Sequence, residues 1–360
     1  MMDTLLGIDA GTTGCKVALF SSEGAMVYGV YREYDVQRPQ PGWAELDAVA
    51  VWSLIKDAIR EVAAQVSAAS IRGIAVSSMG EAVVLVTQDR KILGPSLLNF
   101  DIRGEEYLDE LGTLLDDDRL YQINGNTLGN HYTLTKLKWI QQHQPDLYDQ
   151  ADYVLHWSGF IAFMLGADPA VDYSLANRTL LFDLDQCTWS ENLVQQTELD
   201  RARLPCTVPA GTPIGTVSPA AAADLGLSPK TIIVSGAHDQ CANAVGCGVI
   251  EPGSAVYGMG TYLCITPVFT QRANTHAMIE RGLNTEHHAV PNQYVSFLYN
   301  HGGSIVKWFR DTFAHLDHQQ AMAHERDIYA TLFAEIPDDP SRVIVLPHFA
   351  ATGPPDFLSN

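Results

Sequence analysis

Short apolar runs alternating with tight turns fill the first part of the chain, and their spacing predicts a mixed β-sheet. Leu5-Leu6-Gly7-Ile8 ends in Asp9, the link Gly11-Thr12-Thr13-Gly14 follows, and a second run from Cys15 to Phe20 begins at once. Two strand-like runs joined by so short a Gly/Thr link predict a β-hairpin. After Ser21-Ser22-Glu23-Gly24, the β-branched and aromatic run Met26 to Tyr31 predicts a third strand, and residues 35–46, with Pro39, Pro41 and Gly42, predict a loop. Asp47 is the expected N-cap of a helix whose apolar positions are Val49, Trp52, Ile55, Ile59, Val62 and Val66, in steps of three and four. Ile71 to Ser77 then predicts a buried strand. The order strand-strand-strand-helix-strand combines two hairpins with a crossover, so the sheet is expected to be mixed rather than purely doubly wound.

Farther along, residues 83–99 predict two short strands around Gln88-Asp89-Arg90-Lys91. The pattern from about 103 to 166 is mainly helical, including Leu134, Leu137, Trp139 and Ile140, then Trp157 to Leu165. Residues 168–218 are looser, with short strands and several prolines. Lys230 to Ser235 predicts a second buried strand, leading through Gly236-Ala237-His238-Asp239-Gln240 into a small-residue helix, Cys241 to Cys247. Ser254 to Ile265 repeats the opening pattern of strand, Gly/Thr tip and strand, the tip being Gly258-Met259-Gly260-Thr261. A boundary near residue 250 would place one such hairpin in each of two domains, facing across a cleft. No fixed-period repeat is evident.

Composition narrows the partners. The 360 residues are 46% hydrophobic, enough for large cores, and the formal net charge is −20. Nucleic acid and anionic membranes are bound through basic patches, so neither is expected. The six cysteines form no CxxC pair, and no segment reads as a basic-then-apolar leader or an 18-residue apolar span. A cytoplasmic protein is the expectation.

The hairpin tips carry the first chemistry. Gly11 and Gly14 let backbone N–H groups approach a phosphate, Thr12 and Thr13 supply hydroxyls, and Lys16 adds charge. Asp9, at a strand end, suits Mg²⁺ held through water. On its own, the first hairpin reads more readily as an ordinary tight hairpin with an exposed Asp. Two such hairpins in one chain are less easily coincidental.

Taken in order, Asp9-Ala10-Gly11-Thr12-Thr13, Pro41-Gly42-Trp43-Ala44-Glu45, Asn99-Phe100-Asp101-Ile102-Arg103 and Thr135-Lys136-Leu137-Lys138-Trp139 are followed by Gly236-Ala237-His238-Asp239-Gln240 and Gly258-Met259-Gly260-Thr261. The set closes with Gly302-Gly303 ahead of Trp308-Phe309-Arg310-Asp311. This ordered set resembles the FGGY family of carbohydrate kinases, within the superfamily of actin and hexokinase. The resemblance implies an α/β fold: a ribonuclease-H-like (actin-like ATPase) domain with a mixed five-stranded sheet over residues 1–249, carrying the sugar site and catalytic base. A partial second domain of the same type, on the nucleotide side, is expected over residues 250–360. It implies transfer of the ATP γ-phosphoryl group to a hydroxyl of a small sugar or polyol, with ATP and Mg²⁺ as cofactors and a xylulose-like pentulose favoured. Asp239 resembles the family's catalytic base; as a residue at the start of a helix it also reads as a simple cap. His238 is expected as a packing or hydrogen-bonding neighbour.

By the same resemblance, Gly11, Thr12, Thr13 and Lys16, with Gly260 and Thr261, are phosphate-binding, and Gly303 is a backbone contact to the nucleotide. Asp9 is the residue that holds Mg²⁺ through water. Gly80, Glu81, Asp101, His131, Tyr132, Asp239 and Gln240 fall at the sugar pocket. Asp101 also reads as a turn residue, Tyr132 as core, and Trp43 either as a pocket wall or as an interface residue. Gly80-Glu81 differs from the Arg-Glu of glycerol kinases and the Met-His of typical xylulokinases. Members of the family continue well past Asn360, so the second domain is expected to be incomplete. An open sheet edge would then be covered by a partner or by a second copy, as in a homodimer, or the chain is a shortened product with impaired catalysis. A relative that binds a sugar or a protein partner without turning over ATP is therefore the alternative function. An ATPase without a sugar acceptor is disfavoured by Glu81, Asp101 and Tyr132.

Overall fold

The opening hairpin forms as β1 (Thr4–Ala10) and β2 (Gly14–Ser21), paired antiparallel, and β3 (Met26–Glu33) adds to its outer side. The computed structural model describes residues 3–259, 262–272, 275–334, 336–337, 339 and 342–343. Side chains on β1 alternate: Leu6, Ile8 and Ala10 are buried, while Leu5 and Asp9 face the other way. The helix α1 (Ala48–Ala63) starts where Asp47 caps it, its carboxylate accepting from the N–H groups of Val49 and Ala50 at 3.0 Å. Val49 itself is 60% exposed, and Ala48 and Val51 take buried places instead. The expected Trp52, Ile55, Ile59 and Val62 are all buried, each worth about 1.5–3 kcal/mol on full burial.

The crossover returns the chain as β4 (Ile71–Ser78), parallel to β1. The short strand β5 (Pro213–Thr216) pairs antiparallel with β6 (Ile232–His238), and β6 lies parallel to β4. The sheet order is β5-β6-β4-β1-β2-β3. It is mixed, as expected, but has six strands rather than five. The extra strand is short and irregular, with a register shift between Pro213 and Gly215, so alternation could not reveal it. Its buried face is covered by α1 and by the helix Trp157–Leu165, whose Trp52 and Phe160 rings meet edge-on at 6.0 Å. A second core lies around the helix Thr133–His143, where Leu134, Leu137 and Ile140 meet Leu175, Leu180 and Phe182.

After β6 the chain turns directly into α2 (Asp239–Gly246), two residues earlier than the sequence pattern indicates. β7 (Ala255–Met259) and β8 (Tyr262–Phe269) form the second antiparallel hairpin, within a five-stranded antiparallel sheet that also holds Glu286–His287, Tyr294–Val295 and Leu298–His301. Its tip, Gly260 and Thr261, lies outside the described residues. The chain between these strands returns to the first unit: Tyr121 donates its hydroxyl to the Leu283 carbonyl at 2.8 Å, and the Thr285 N–H reaches the Gly125 carbonyl at 2.8 Å. Among the described residues no helix is long and apolar enough to cross a membrane.

One close approach fixes the strand end that matters most. β6 shifts register between Val234 and Ala237, and a Cβ built on Gly236 would fall 1.6 Å from the Val76 carbonyl of β4. Ser158, at the start of the helix Trp157–Leu165, donates its hydroxyl to the same carbonyl at 2.7 Å. Gly236→Ala is therefore expected to force these backbones apart and lower stability by about 1–3 kcal/mol, measured as a reduced urea midpoint at unchanged slope. A midpoint equal to that of the unaltered protein would show that the contact relaxes freely.

Candidate active site

Three parallel strands end side by side. Asp9 of β1 is in register with Ser77 of β4, Ser77 with Ala237 of β6, and Ser78 with His238. In open α/β sheets, ligands bind at such carboxyl ends. The Ser77 hydroxyl donates to Asp9 at 2.6 Å, and Lys16, on β2 directly opposite Asp9, is exposed on the same face. Beyond Asp9 the link closes tightly: the Gly11 N–H meets the Gly14 carbonyl at 3.0 Å. Tyr34 ties the link down, its hydroxyl donating to Gly11 at 2.7 Å and its N–H to Thr13 at 3.1 Å. A Cβ on Gly14 would sit 2.2 Å from the hydroxyl of Tyr31, an exposed side chain that would have to swing aside. Thr13 stands exposed at the tip and Thr12 is half-buried.

Asp239 is the first residue of α2. His238 holds the capping position and makes no side-chain cap bond. The Asp239 carboxyl accepts from the Gln240 side chain at 3.2 Å, and His238 Nε2 lies 3.2 Å from the same oxygen. Burial pushes this carboxyl up to about 7, with the charges of Asp9 and Glu81 adding to the effect. His238 is held well below its ordinary value by burial and then by the Arg178 charge, so its ring is neutral. Its Nδ1 is buried without a hydrogen-bond partner among the described residues, and its ring meets Phe297 edge-on at 5.0 Å. Gly80 makes room for that ring: a Cβ at position 80 would lie 2.9 Å from His238 Nε2 and 3.3 Å from Arg178 Cγ.

Arg178 is the residue that the sequence pattern does not reveal. Its Nε donates to Glu81 Oε1 at 2.8 Å, its Nη2 reaches the same oxygen, and its Nη1 pairs with Glu286. The guanidinium also lies over the Tyr132 ring, 4.9 Å from its centre. Tyr132 is buried and donates its hydroxyl to Asn126 at 2.7 Å; His131 stacks obliquely on it at 3.9 Å and is held down to about 3 by burial, Arg178 and Lys136. The signal for Arg178 was a lone charge inside Tyr173-Ser174-Leu175-Ala176-Asn177-Arg178-Thr179-Leu180-Leu181-Phe182, where a cation needs a buried partner. Glu286, in Thr285-Glu286-His287-His288, carried no comparable mark.

Asp101 sits apart in a cluster of its own. Its carboxylate is buried and accepts from the Ala44 N–H at 2.6 Å, the Arg103 N–H at 2.7 Å and the Arg103 guanidinium at 2.6 Å. Arg103 lies 3.9 Å from the centre of the Trp43 ring, and Lys136, lowered to about 7 by burial, donates to the carbonyls of Asp101 and Arg103. Gly303 opens the helix Gly303–Phe313, and a Cβ on the preceding Gly302 would lie 2.4 Å from Leu263 Cγ. Asp9, Gly80, Glu81, Asp239 and Gln240 are thus brought to one place, with His131 and Tyr132 beside Arg178.

Residues 4–246 match the N-terminal domain of the FGGY family of carbohydrate kinases. The chain belongs to that family. It is 30% identical over 344 residues to an autoinducer-2 kinase of Yersinia enterocolitica, covering 92% of this chain and 63% of that protein. It is 26% identical over 292 residues to a xylulose kinase of Escherichia coli, covering 80% of this chain and 58% of that one. Among solved structures, the xylulose kinase of Rhodospirillum rubrum superposes with a TM-score of 0.86 at 26% identity, over 99% of this chain and 72% of that chain. This FGGY chain thus spans 58% to 63% of the length of these two curated relatives.

The raised Asp239 carboxyl has a consequence for folding. A carboxyl whose folded value lies above its unfolded one, ordinarily near 4, favours the folded state less as pH rises from 4 through about 7. Asp239→Asn removes that dependence. The variant is expected to melt above the unaltered protein at pH 8, with the difference shrinking below pH 7 and closing near pH 4. A variant melting below it at pH 8 would mean that the carboxylate is held by favourable partners.

Proposed function

We propose that the chain transfers the γ-phosphoryl group of ATP to a hydroxyl of a small ketose or polyol, with Asp239 as general base. The observation that carries this reading is the Asp239 carboxyl, at the junction of β6 and α2, with its proton affinity raised to about 7. A base is most effective when its pKa lies near the working pH. An acceptor hydroxyl within hydrogen-bond reach gives its proton to Asp239 as its oxygen attacks phosphorus and the bond to the β-bridging oxygen breaks, releasing ADP. Gln240 orients the carboxylate through its side-chain N–H, and the neutral His238 adds no competing charge. Glu81, held by Arg178, offers carboxylate oxygens to acceptor hydroxyls.

The link Gly11 to Gly14 supports the phosphate side of the reading, with Thr12, Thr13 and Lys16 beside it; Gly260 and Thr261, outside the described residues, are assigned to the same role by family resemblance. Gly303 is assigned to the nucleotide. The residues fit Mg²⁺: Asp9 offers an exposed carboxylate whose charge already raises Asp239, and all the donors are hard oxygens. Among the described residues no group of three or more His, Cys, Asp or Glu side chains could hold a metal, which suits an ion held through water and phosphate oxygens. When bound, Mg²⁺ would neutralise charge at the transferring phosphoryl group. Similarity to xylulose kinases favours a pentulose acceptor, and similarity to autoinducer-2 kinases extends the candidates to other small polyhydroxylated carbonyl compounds.

The test is a panel of ketoses, polyols and aldonates assayed for ATP-dependent phosphorylation. At least one ketose or polyol is expected to react, with kcat/KM rising as pH passes through about 7, because Asp239 must be ionised. Asp239→Asn is expected to reduce turnover by roughly 100- to 10,000-fold while leaving acceptor affinity nearly intact. Near-normal turnover in that variant would remove Asp239 as the base. Sugar binding with no ATP turnover on any acceptor would favour the non-catalytic alternative.

A further inference from the structure

Arg178 is a buried cation beside the proposed base, and two carboxylates already hold it. Its side chain is 10% exposed, that of Glu81 7% and that of Glu286 0%. The guanidinium spends Nε and Nη2 on one oxygen of Glu81 and Nη1 on Glu286, while its faces rest on Tyr132 and Phe297. Asn284 donates to the same Glu286 oxygen at 2.6 Å, and the other oxygen of Glu286 is buried without a hydrogen-bond partner among the described residues. Around the acceptor position, Arg178 thus stands among the carboxylates of Glu81, Glu286 and Asp239, while Lys16 faces Asp9 from the neighbouring strand.

A buried arginine at a sugar site ordinarily receives a carboxylate or phosphate of the ligand, through paired N–H donors. Here the Nε and Nη2 pair is engaged by Glu81 and Nη1 by Glu286, and a ligand carboxylate would approach the carboxylates of Glu81, Glu286 and Asp239. A hydroxyl ligand meets the opposite situation, since it brings donors to carboxylate oxygens that lack them. Glu286 is the decisive member because Glu81 alone would leave one arm of Arg178 open. We propose that Glu286 sets the charge selectivity of the acceptor site, confining it to uncharged ketoses and polyols and excluding sugar acids by neutralising Arg178. The proposal rests on the kinase reading for the identity of the site, but charge selectivity is measurable without ATP.

The experiment compares xylitol, D-xylulose and the five-carbon aldonate xylonate by calorimetry with the full chain at pH 8, without nucleotide. The uncharged ligands are expected to bind at least about tenfold more tightly than xylonate, since like charges brought together at a buried site are strongly disfavoured. Glu286→Gln keeps the side-chain shape and frees one arm of Arg178, so it is expected to narrow that ratio about tenfold by strengthening xylonate binding. Xylonate binding as tightly as xylitol to the unaltered protein, or an unchanged ratio in folded Glu286→Gln, overturns the proposal. If the variant does not fold, the ratio in the unaltered protein decides alone. Absence of ATP-dependent product with every acceptor overturns the kinase reading and leaves the binding ratio to judge charge selectivity; binding of none of the three overturns both.

Discussion

The parallel register of β1, β4 and β6 is the constraint on which the site depends. It aligns Asp9, Ser77 and Ala237 in one row and so sets two carboxylates, Asp9 and Asp239, at the strand ends on either side of β4. That register is held by burial on the other side of the sheet, where α1 and the helix Trp157–Leu165 cover Leu6, Ile8, Ile74, Val76 and Ile233. A one-residue slip in any strand would turn its side chains to the opposite face and remove the row. Gly236 lets β6 shift and approach β4 closely at the last moment, so that the chain leaves the sheet directly into α2 with Asp239 as its first residue.

Gathering carboxylates in this way works against folding. Asp239 is destabilised in its charged form by burial, by Asp9 and by Glu81, and Glu286 is raised by burial even with Arg178 beside it. The protein offsets part of this with one buried guanidinium, Arg178, that meets Glu81 and Glu286, 97 and 108 residues away along the chain. The same arrangement leaves the Asp239 carboxyl poised near neutrality, the property its proposed role as base asks of it. It also links the chain after residue 250 to the acceptor side, because Glu286 belongs to the second sheet.

Elements with a strong local signal were legible from sequence. The two hairpins, the Asp47 cap and the apolar stripe of α1 each follow from spacing that a single element imposes. So does the Trp157–Leu165 helix, found with the bounds its apolar run indicates. What escaped depends on contacts between distant segments. The edge strand Pro213–Thr216 is defined only by its neighbour β6. Arg178 and Glu286 gain meaning only when folding brings them to Glu81. The Asp101 oxygens accept from Arg103 and the Ala44 N–H, which supports the loop around Trp43, and no local pattern marks those partners. The reason for Gly80, the space taken by His238, is likewise three-dimensional.

Phosphoryl transfer to a sugar hydroxyl is the reaction proposed for this row of strand ends. The most direct measurement is ³¹P nuclear magnetic resonance of the full chain incubated with Mg²⁺, ATP and a mixture of uncharged ketoses and polyols. The account predicts a phosphate monoester resonance that grows as the γ-phosphate signal falls and ADP appears. Unchanged ATP, or inorganic phosphate as the sole new product, would contradict it.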